Sequence, residues 1–493
     1  MRKYLVILVA AVALVAFSMP AAAVDIGASG FYHGFAILSN FHDGGGGPSL
    51  RAGQDVNGEA SAEQTNAYVA QRFRVKWTFG NENVKAVWYL ESDMIWGDAA
   101  GSVPSASCRN CGGALGADKV QTETKQINVW FKIPNTSMES TVGIQTVPGH
   151  YSGIFNANND MAGITFKGKF EPVNFGIVWA KLYENNTNNT DDATLYEAYV
   201  DFSPTKDANL GITFDFLQDD TGAPTGGLPR LQLASGPDNS PINFSNYKGT
   251  LYMPGVDGSI KVGPVKLSGW FFYQWGTYES TLPANTDIDV SGFAANLRAD
   301  ASLGPGKAFF EGLYISGDDN EGDDTFDSII TLGDFQQNAS PGGYAGYTKP
   351  HMVILLSTWN MASISQCLIG CSGGEYGDSY GNSGRGIWYV GAGYNQKFTD
   401  TLSGEINVGH LEATELYQFD KDGGRDNDMG TEVNATVTMA IQKGLNVSVT
   451  GAYAFFGDFV RDLPDTTLGF APTDQQPTFK DAWTSYARLD YKF

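Results

Sequence analysis

Three cations stand at alternate positions within Asn66 to Gly80: Arg72, Arg74 and Lys76. At a period of two they share one strand face with Ala70 and Thr78, while Val69, Phe73, Val75, Trp77 and Phe79 share the other. A row of fixed charge breaks no bonds by itself, but it can attract, orient or repel charged solutes in a water-filled passage. The chain returns from Val84 to Trp96, where Glu91 and Asp93 share a face with Tyr89, opposite Trp88 and Leu90. Lys167 and Lys169 repeat the basic spacing, and His150 and Asp160 complete the candidate lining. Ester or amide hydrolysis would need His and Ser together on the wall. His410 instead falls on the apolar parity of Ile406 and Val408, with Glu412 two positions on. It reads as an interfacial His, and no catalytic residue and no cofactor is assigned.

A face of aromatic and apolar residues opposed by three cations suits a wall with lipid on one side and water on the other. The unit recurs as a strand pair joined by a short turn and followed by a longer polar segment. Short turns read at Gly80 to Asn83, Pro134 to Thr136, Glu171 to Val173, Ser203 to Asp207, Gly263-Pro264, Gly304 to Gly306, Thr399-Asp400 and Lys443-Gly444. Eight turns and nine longer Gly/Asn/Asp/Ser-rich segments make 18 strands, with 16 to 20 as the range. The expected fold is all-β, a transmembrane antiparallel β-barrel with short periplasmic turns and long external loops. The strand count is least defined across 318–385, where His351 to Met361 (HMVILLSTWNM) reads as a strand, a loop strand or a short helix.

Both chain ends support this. Arg2 and Lys3, the apolar run Tyr4 to Phe17 and the small residues Ala21 to Ala23 read as an export signal over 1–23, leaving 24–493 as a single barrel domain. The run is shorter than the roughly 20 residues a membrane helix needs. At the other end, Ala487, Leu489, Tyr491 and Phe493 alternate with Arg488, Asp490 and Lys492. A last strand ending on Phe, apolar at every second position, resembles the signal by which barrels are recognised for assembly. Composition agrees: the 60 Gly suit turns and crowded walls, and the 23 Tyr, 30 Phe and 10 Trp suit interfacial girdles.

The formal charge is −23, which makes nucleic acid an unsuitable partner. Much of the acid sits in Gly317 to Asp327 (GDDNEGDDTFD) and Asp420 to Asp428 (DKDGGRDND). Such runs read first as solvated loops and, more sharply, as divalent-cation binders, although neither matches the twelve-residue calcium loop, and no metal site is assigned. The four cysteines, Cys108, Cys111, Cys367 and Cys371, fall in expected external loops at 97–119 and 318–385. Disulfides are expected in an exported chain; a tetrathiolate site is the alternative. Haem attachment is excluded there, since Gly112 follows Cys111.

The chain resembles the outer-membrane homotrimeric porins of sulfate-reducing bacteria. The stretches that carry the likeness are Gly113 to Asp118 (GALGAD), Pro134 to Gln145 (PNTSMESTVGIQ) with Val147 to Gly149, Asn159 to Ile164 (NDMAGI), Trp179 to Asn186 (WAKLYENN) and the acidic Gly317 to Asp327. The four cysteines depart from that pattern. The resemblance implies a trimer of water-filled barrels passing small hydrophilic solutes, with outer-membrane lipid, lipopolysaccharide and the barrel assembly machinery as partners. In porin-like order 147–160 is the third external loop, which in general porins folds inward and narrows the pore. The basic row opposite would then lean a weakly selective channel toward anions. The alternatives are a sheath barrel around an electron-transfer conduit, suggested by the Cys-x-x-Cys, and an outer-membrane hydrolase.

Overall fold

A computed structural model describes residues 24–42, 65–98, 113–117, 120–156, 158–184, 187, 190–222, 230–231, 247–282, 286–320, 323–332, 335–336, 351–356, 382–418, 421, 426–461 and 481–493. The expected export signal and all four cysteines lie outside these residues. Eighteen long strands pair antiparallel, each with its sequence neighbours: β1 (Asp25–Ser39), β2 (Asn66–Gly80), β3 (Val84–Ile95), β4 (Glu123–Lys132), β5 (Met138–Thr146), β6 (Asp160–Phe170), β7 (Val173–Glu184), β8 (Asp192–Thr205), β9 (Ala208–Asp219), β10 (Tyr247–Val262), β11 (Val265–Ser280), β12 (Ile288–Leu303), β13 (Gly306–Ile315), β14 (Ile387–Lys397), β15 (Leu402–Ala413), β16 (Asp428–Gln442), β17 (Leu445–Phe456) and β18 (Ala482–Lys492).

The sheet closes where β1 meets β18, with Phe31 opposite Lys492 and Ser39 opposite Thr484. Phe493 extends the seam: its N–H donates to the Gly30 carbonyl at 3.1 Å, and the Gly30 N–H donates to its carbonyl at 3.0 Å. All eight expected short turns join strand pairs at one end of the barrel, and the even strand number brings both chain ends to that same end. Two shorter pairings lie off the wall: Thr325–Phe326 runs parallel beside Asp289 and Val290, and Arg230–Leu231 pairs with Phe335–Gln336.

Alternation decides which side chain faces where, because successive side chains point to opposite faces of a strand. On β11, Trp270, Phe272 and Gln274 are buried while Phe271, Tyr273 and Trp275 are exposed. On β8, Leu195 and Glu197 are buried while Tyr196, Val200 and Phe202 are exposed. The outer face is therefore apolar around the wall. One aromatic row crosses four adjacent strands there: Tyr196, Phe216, Tyr252 and Trp275, with successive ring centroids 5.6, 5.1 and 5.7 Å apart. A second group gathers at the seam, where Phe493 stacks on Phe73 and Tyr491. Aromatic belts of this kind suit a membrane interface.

The buried apolar core lies inside the barrel. It joins inward residues of the wall to three segments that leave the strands and fold inward: 147–159, 326–332 and 351–356. His351 to Leu356 is neither a helix nor a barrel strand, and Met352 to Leu356 are buried. The rest of His351 to Met361 lies outside the described residues. Among those residues no helix is long and apolar enough to cross a membrane.

Candidate functional site

The inner wall carries two contrasting charged regions. The first spans β2, β3, β4 and the start of β6. Register sets Arg72 opposite Asp93 and Arg74 opposite Glu91. Arg72 grips Asp93 with both ends of its fork, Nε donating to Oδ1 at 2.7 Å and Nη2 to Oδ2 at 2.6 Å, and its Nε also lies 3.4 Å from Glu91. Arg74 donates to Glu91. Lys125 bridges to Asp160 at 3.3 Å and stands 4.0 Å from Glu91. Asp160 also accepts from Gln126 at 2.8 Å and Thr146 at 2.9 Å. Three cations and three carboxylates thus form one closed network.

Lys76 and Lys167 lie on the inward parity further toward the turn end and make no ion pair among the described residues. Lys169 is two-thirds exposed and pairs with Glu171 in the turn after β6, 3.5 Å away. Its place is the rim, away from the Arg72 network. Two more cations inside the wall are paired as well: Arg298 with Glu311 at 2.6 Å and with Asp300, and Arg488 with Asp490 at 2.6 Å.

The second region is the inner face of β8, β9 and β10, against which 147–159 packs. This loop is closed at its base by Val147 N–H donating to the Asn159 carbonyl at 2.9 Å. Asn156 braces it, donating to the Val147 carbonyl and accepting from the Asn159 N–H. At its tip Tyr151 and Ser152 both take φ near +55°, at 53° and 57°. Two consecutive non-glycine residues in that region are strained, and packing holds them there. Trp270 donates to the Ser152 hydroxyl at 2.9 Å, and the Tyr151 ring lies 4.9 Å from Phe272. Gly255 makes room, because a Cβ at that position would collide with the Tyr151 ring.

Around this loop the wall is acidic: Glu197, Asp201, Asp215 and Asp257 all face inward. His150 stands among them with Nε2 3.4 Å from Glu197 and its ring 4.9 Å from Tyr199. His150 lies outside the strands. Burial opposes its charged form, but the Glu197 carboxylate more than offsets this, so its pKa rises above the usual histidine value.

The other two inward segments are tied to the wall by side chains that imitate a strand edge. The Gln274 amide donates to the Ile330 carbonyl at 2.9 Å and accepts the Ile330 N–H at 2.7 Å. Glu432 accepts three consecutive backbone N–H groups, from Val353, Ile354 and Leu355, at 2.8, 2.8 and 2.9 Å. Asn434 donates to the His351 carbonyl, and His351 meets Glu405 at 2.7 Å. Below them a cavity of about 360 Å³ opens toward the turn end, lined by Asn434, Thr436, Ser448, Thr450 and Arg488 among others. The 326–332 segment also joins the loop of His150, since Leu332 N–H donates to the Phe155 carbonyl at 3.0 Å.

The expected residues therefore separate. Arg72, Arg74, Glu91, Asp93 and Asp160 share one network; His150 belongs to the acidic region; Lys76, Lys167 and Lys169 lie toward the turn end. Sequence reading missed Lys125, Glu197, Asp215, Arg298, Glu311 and Glu432. Strand parity was the available signal for most of them: Glu197 and Asp201 alternate with Tyr196, Ala198 and Val200. Leu489, Tyr491 and Phe493 face outward. His410 bonds Thr431 at 2.8 Å and Glu412 at 3.0 Å on the apolar parity, and among the described residues no serine bonds it. A Gly-x-Ser-x-Gly string does occur, Gly377-Asp378-Ser379-Tyr380-Gly381, but it lies outside the described residues.

No protein-family profile and no curated protein matches the chain. Solved structures do. OccK8 (OprE) of Pseudomonas aeruginosa matches with a TM-score of 0.50 at 10% identity, over 95% of this chain and 98% of that one. OccK5 (OpdH) and the outer membrane protein OpdK of the same organism each match with a TM-score of 0.49, at 12% and 10% identity, over the same shares. At such identity the OccK8 likeness bears on the fold alone, a closed antiparallel barrel of 18 strands.

Proposed function

We propose that this chain is an outer-membrane channel for passive diffusion of small hydrophilic solutes and ions. The observation that carries the reading is one closed barrel with an apolar, aromatic-belted outside, a charged inside, and a loop folded against the inner wall. The test is reconstitution in planar bilayers. Stepwise conductance is expected; folded, heat-modifiable protein that inserts without conducting would overturn the reading. Fractionation should place the protein with the outer membrane.

Selectivity follows from which charges are satisfied. An anion lean counts Arg72, Arg74 and Lys76 as fixed positive charge. Two of those three are neutralised by adjacent carboxylates, while Glu197, Asp201 and Asp257 stand around the inward loop. Fields are focused where low-dielectric walls come close. We therefore read the channel as weakly cation-preferring. Reversal potentials in a KCl gradient should favour K⁺, and Glu197→Gln with Asp201→Asn should bring permeabilities toward equality. Anion preference in the wild type would restore the basic-row reading.

The resemblance to homotrimeric porins supports a trimer, expected as an SDS-resistant species. A monomer by light scattering in detergent would remove the trimer and leave the channel. The outward Phe493 at the seam supports an assembly role for the last strand, so deletion of Phe493 should lower outer-membrane levels without affecting export.

A further inference from the structure

The acidic segment after β13 leaves the wall before its last residues turn inward. Asp318 and Asp319 stand at its start and Asp327 at its end, and they offer one carboxylate oxygen each within 4.8 Å of one another. Asp318 is only 1% exposed. Its Oδ1 accepts the Asn320 N–H at 3.3 Å, while its Oδ2 is buried and accepts no hydrogen bond among the described residues. Asp323, in the same loop, is used differently: Oδ1 accepts the Thr325 N–H and Oδ2 accepts from the Asn320 amide, both at 2.9 Å. The loop's own hydrogen bonds thus occupy Asp323 and leave the other three carboxylates converging. A buried anionic oxygen beside two like charges calls for a cation.

We propose that Asp318, Asp319 and Asp327 bind a divalent cation of the calcium class at the end of the barrel opposite the short turns, clipping the acidic loop where the chain turns inward. Calcium–oxygen distances are about 2.3–2.6 Å, so three oxygens within 4.8 Å of one another fit around one such ion. Calcium also tolerates the irregular geometry of three carboxylates completed by water. The clip would hold a strategic point: Asp318 N–H is bound to the Gly384 carbonyl at 2.8 Å, and the residues just after Asp327 enter the barrel to meet Gln274 and Phe155.

The test is calorimetric titration of chelator-treated, folded full-length protein in detergent with calcium chloride. Saturable binding is expected, with affinity falling at least tenfold in Asp318→Asn and in Asp327→Asn but less than threefold in Asp323→Asn. Should Asp318→Asn fail to give a heat-modifiable band, Asp327→Asn, a less buried position, decides. No binding by the wild type, binding unchanged in Asp327→Asn, or equal losses in Asp327→Asn and Asp323→Asn would each overturn the site.

Discussion

The walls built from β2–β4 and from β8–β10 are both rich in inward charge, yet they are organised oppositely. On the first, each arginine faces its carboxylate across a strand pair, and the network is complete within the wall. On the second, carboxylates gather side by side, and their cationic neighbour His150 comes from a loop docked onto them. A wall that satisfies itself contributes rigidity and little field. A wall that depends on a docked loop contributes field, and its state changes with the loop. Counting charges per strand would not separate the two; counting pairs does.

Breaking the first wall should have the largest effect. Arg72→Ala leaves Asp93 buried beside an empty space, and removing one partner of a buried pair costs roughly 3–5 kcal/mol. The temperature at which the folded band converts on gels should fall well below that of the wild type. A drop no larger than that of Lys76→Ala would show that the network is not structural. Gly255→Ala acts on the second wall by pushing the Tyr151 ring off its seat. Overpacking of this kind costs about 1–3 kcal/mol, and the loop should yield before the barrel does. Altered conductance with an unchanged conversion temperature is expected.

Trp270→Phe keeps an aromatic, though smaller, ring and removes one hydrogen bond to Ser152, a loss of about 0.5–1.5 kcal/mol for the bond. It should raise the frequency of brief current fluctuations without shifting mean conductance. The pH dependence should be the mildest effect. Because the docked pKa of His150 is raised, its ion pair with Glu197 is fully present below the free histidine value of about 6.5 and is lost as pH rises through the docked value. Fluctuations should increase as pH rises above the free histidine value of about 6.5. His150→Gln should give a flat profile, and an increase toward low pH would reverse the assignment.

The wall was legible because its code is local. A period of two, a turn residue and a final aromatic sufficed to place Arg72 with Arg74 on the inner face and Leu489 with Phe493 on the outer one. Register then follows from turn length, so even the Arg72–Asp93 pairing, across 21 positions, was within reach once Gly80 to Asn83 was read as the turn. The interior was not legible in the same way. Nothing in His351 to Leu356 says that its N–H groups will be accepted by a glutamate 77 to 79 positions away. An apolar run without alternation reads as a strand or a helix, and its folding against an inner wall depends on contacts that carry no period. The same holds for Gln274, whose amide on an otherwise aromatic strand gave no hint of the backbone it pairs with.

That inward run has a consequence before the barrel exists. Met352 to Leu356 is five consecutive apolar residues, β-branched at two positions and free of charge and proline. Segments of this composition stack into aggregates when left in water. In the finished molecule the run is shielded on every side, and its amides are held by Glu432 on β16, late in the chain. While β16 is still unplaced, the run is a sticky, uncapped strand. The glutamate therefore serves the chain's solubility during folding as much as its final shape, and replacing it would leave more of the newly made chain to aggregation and proteolysis.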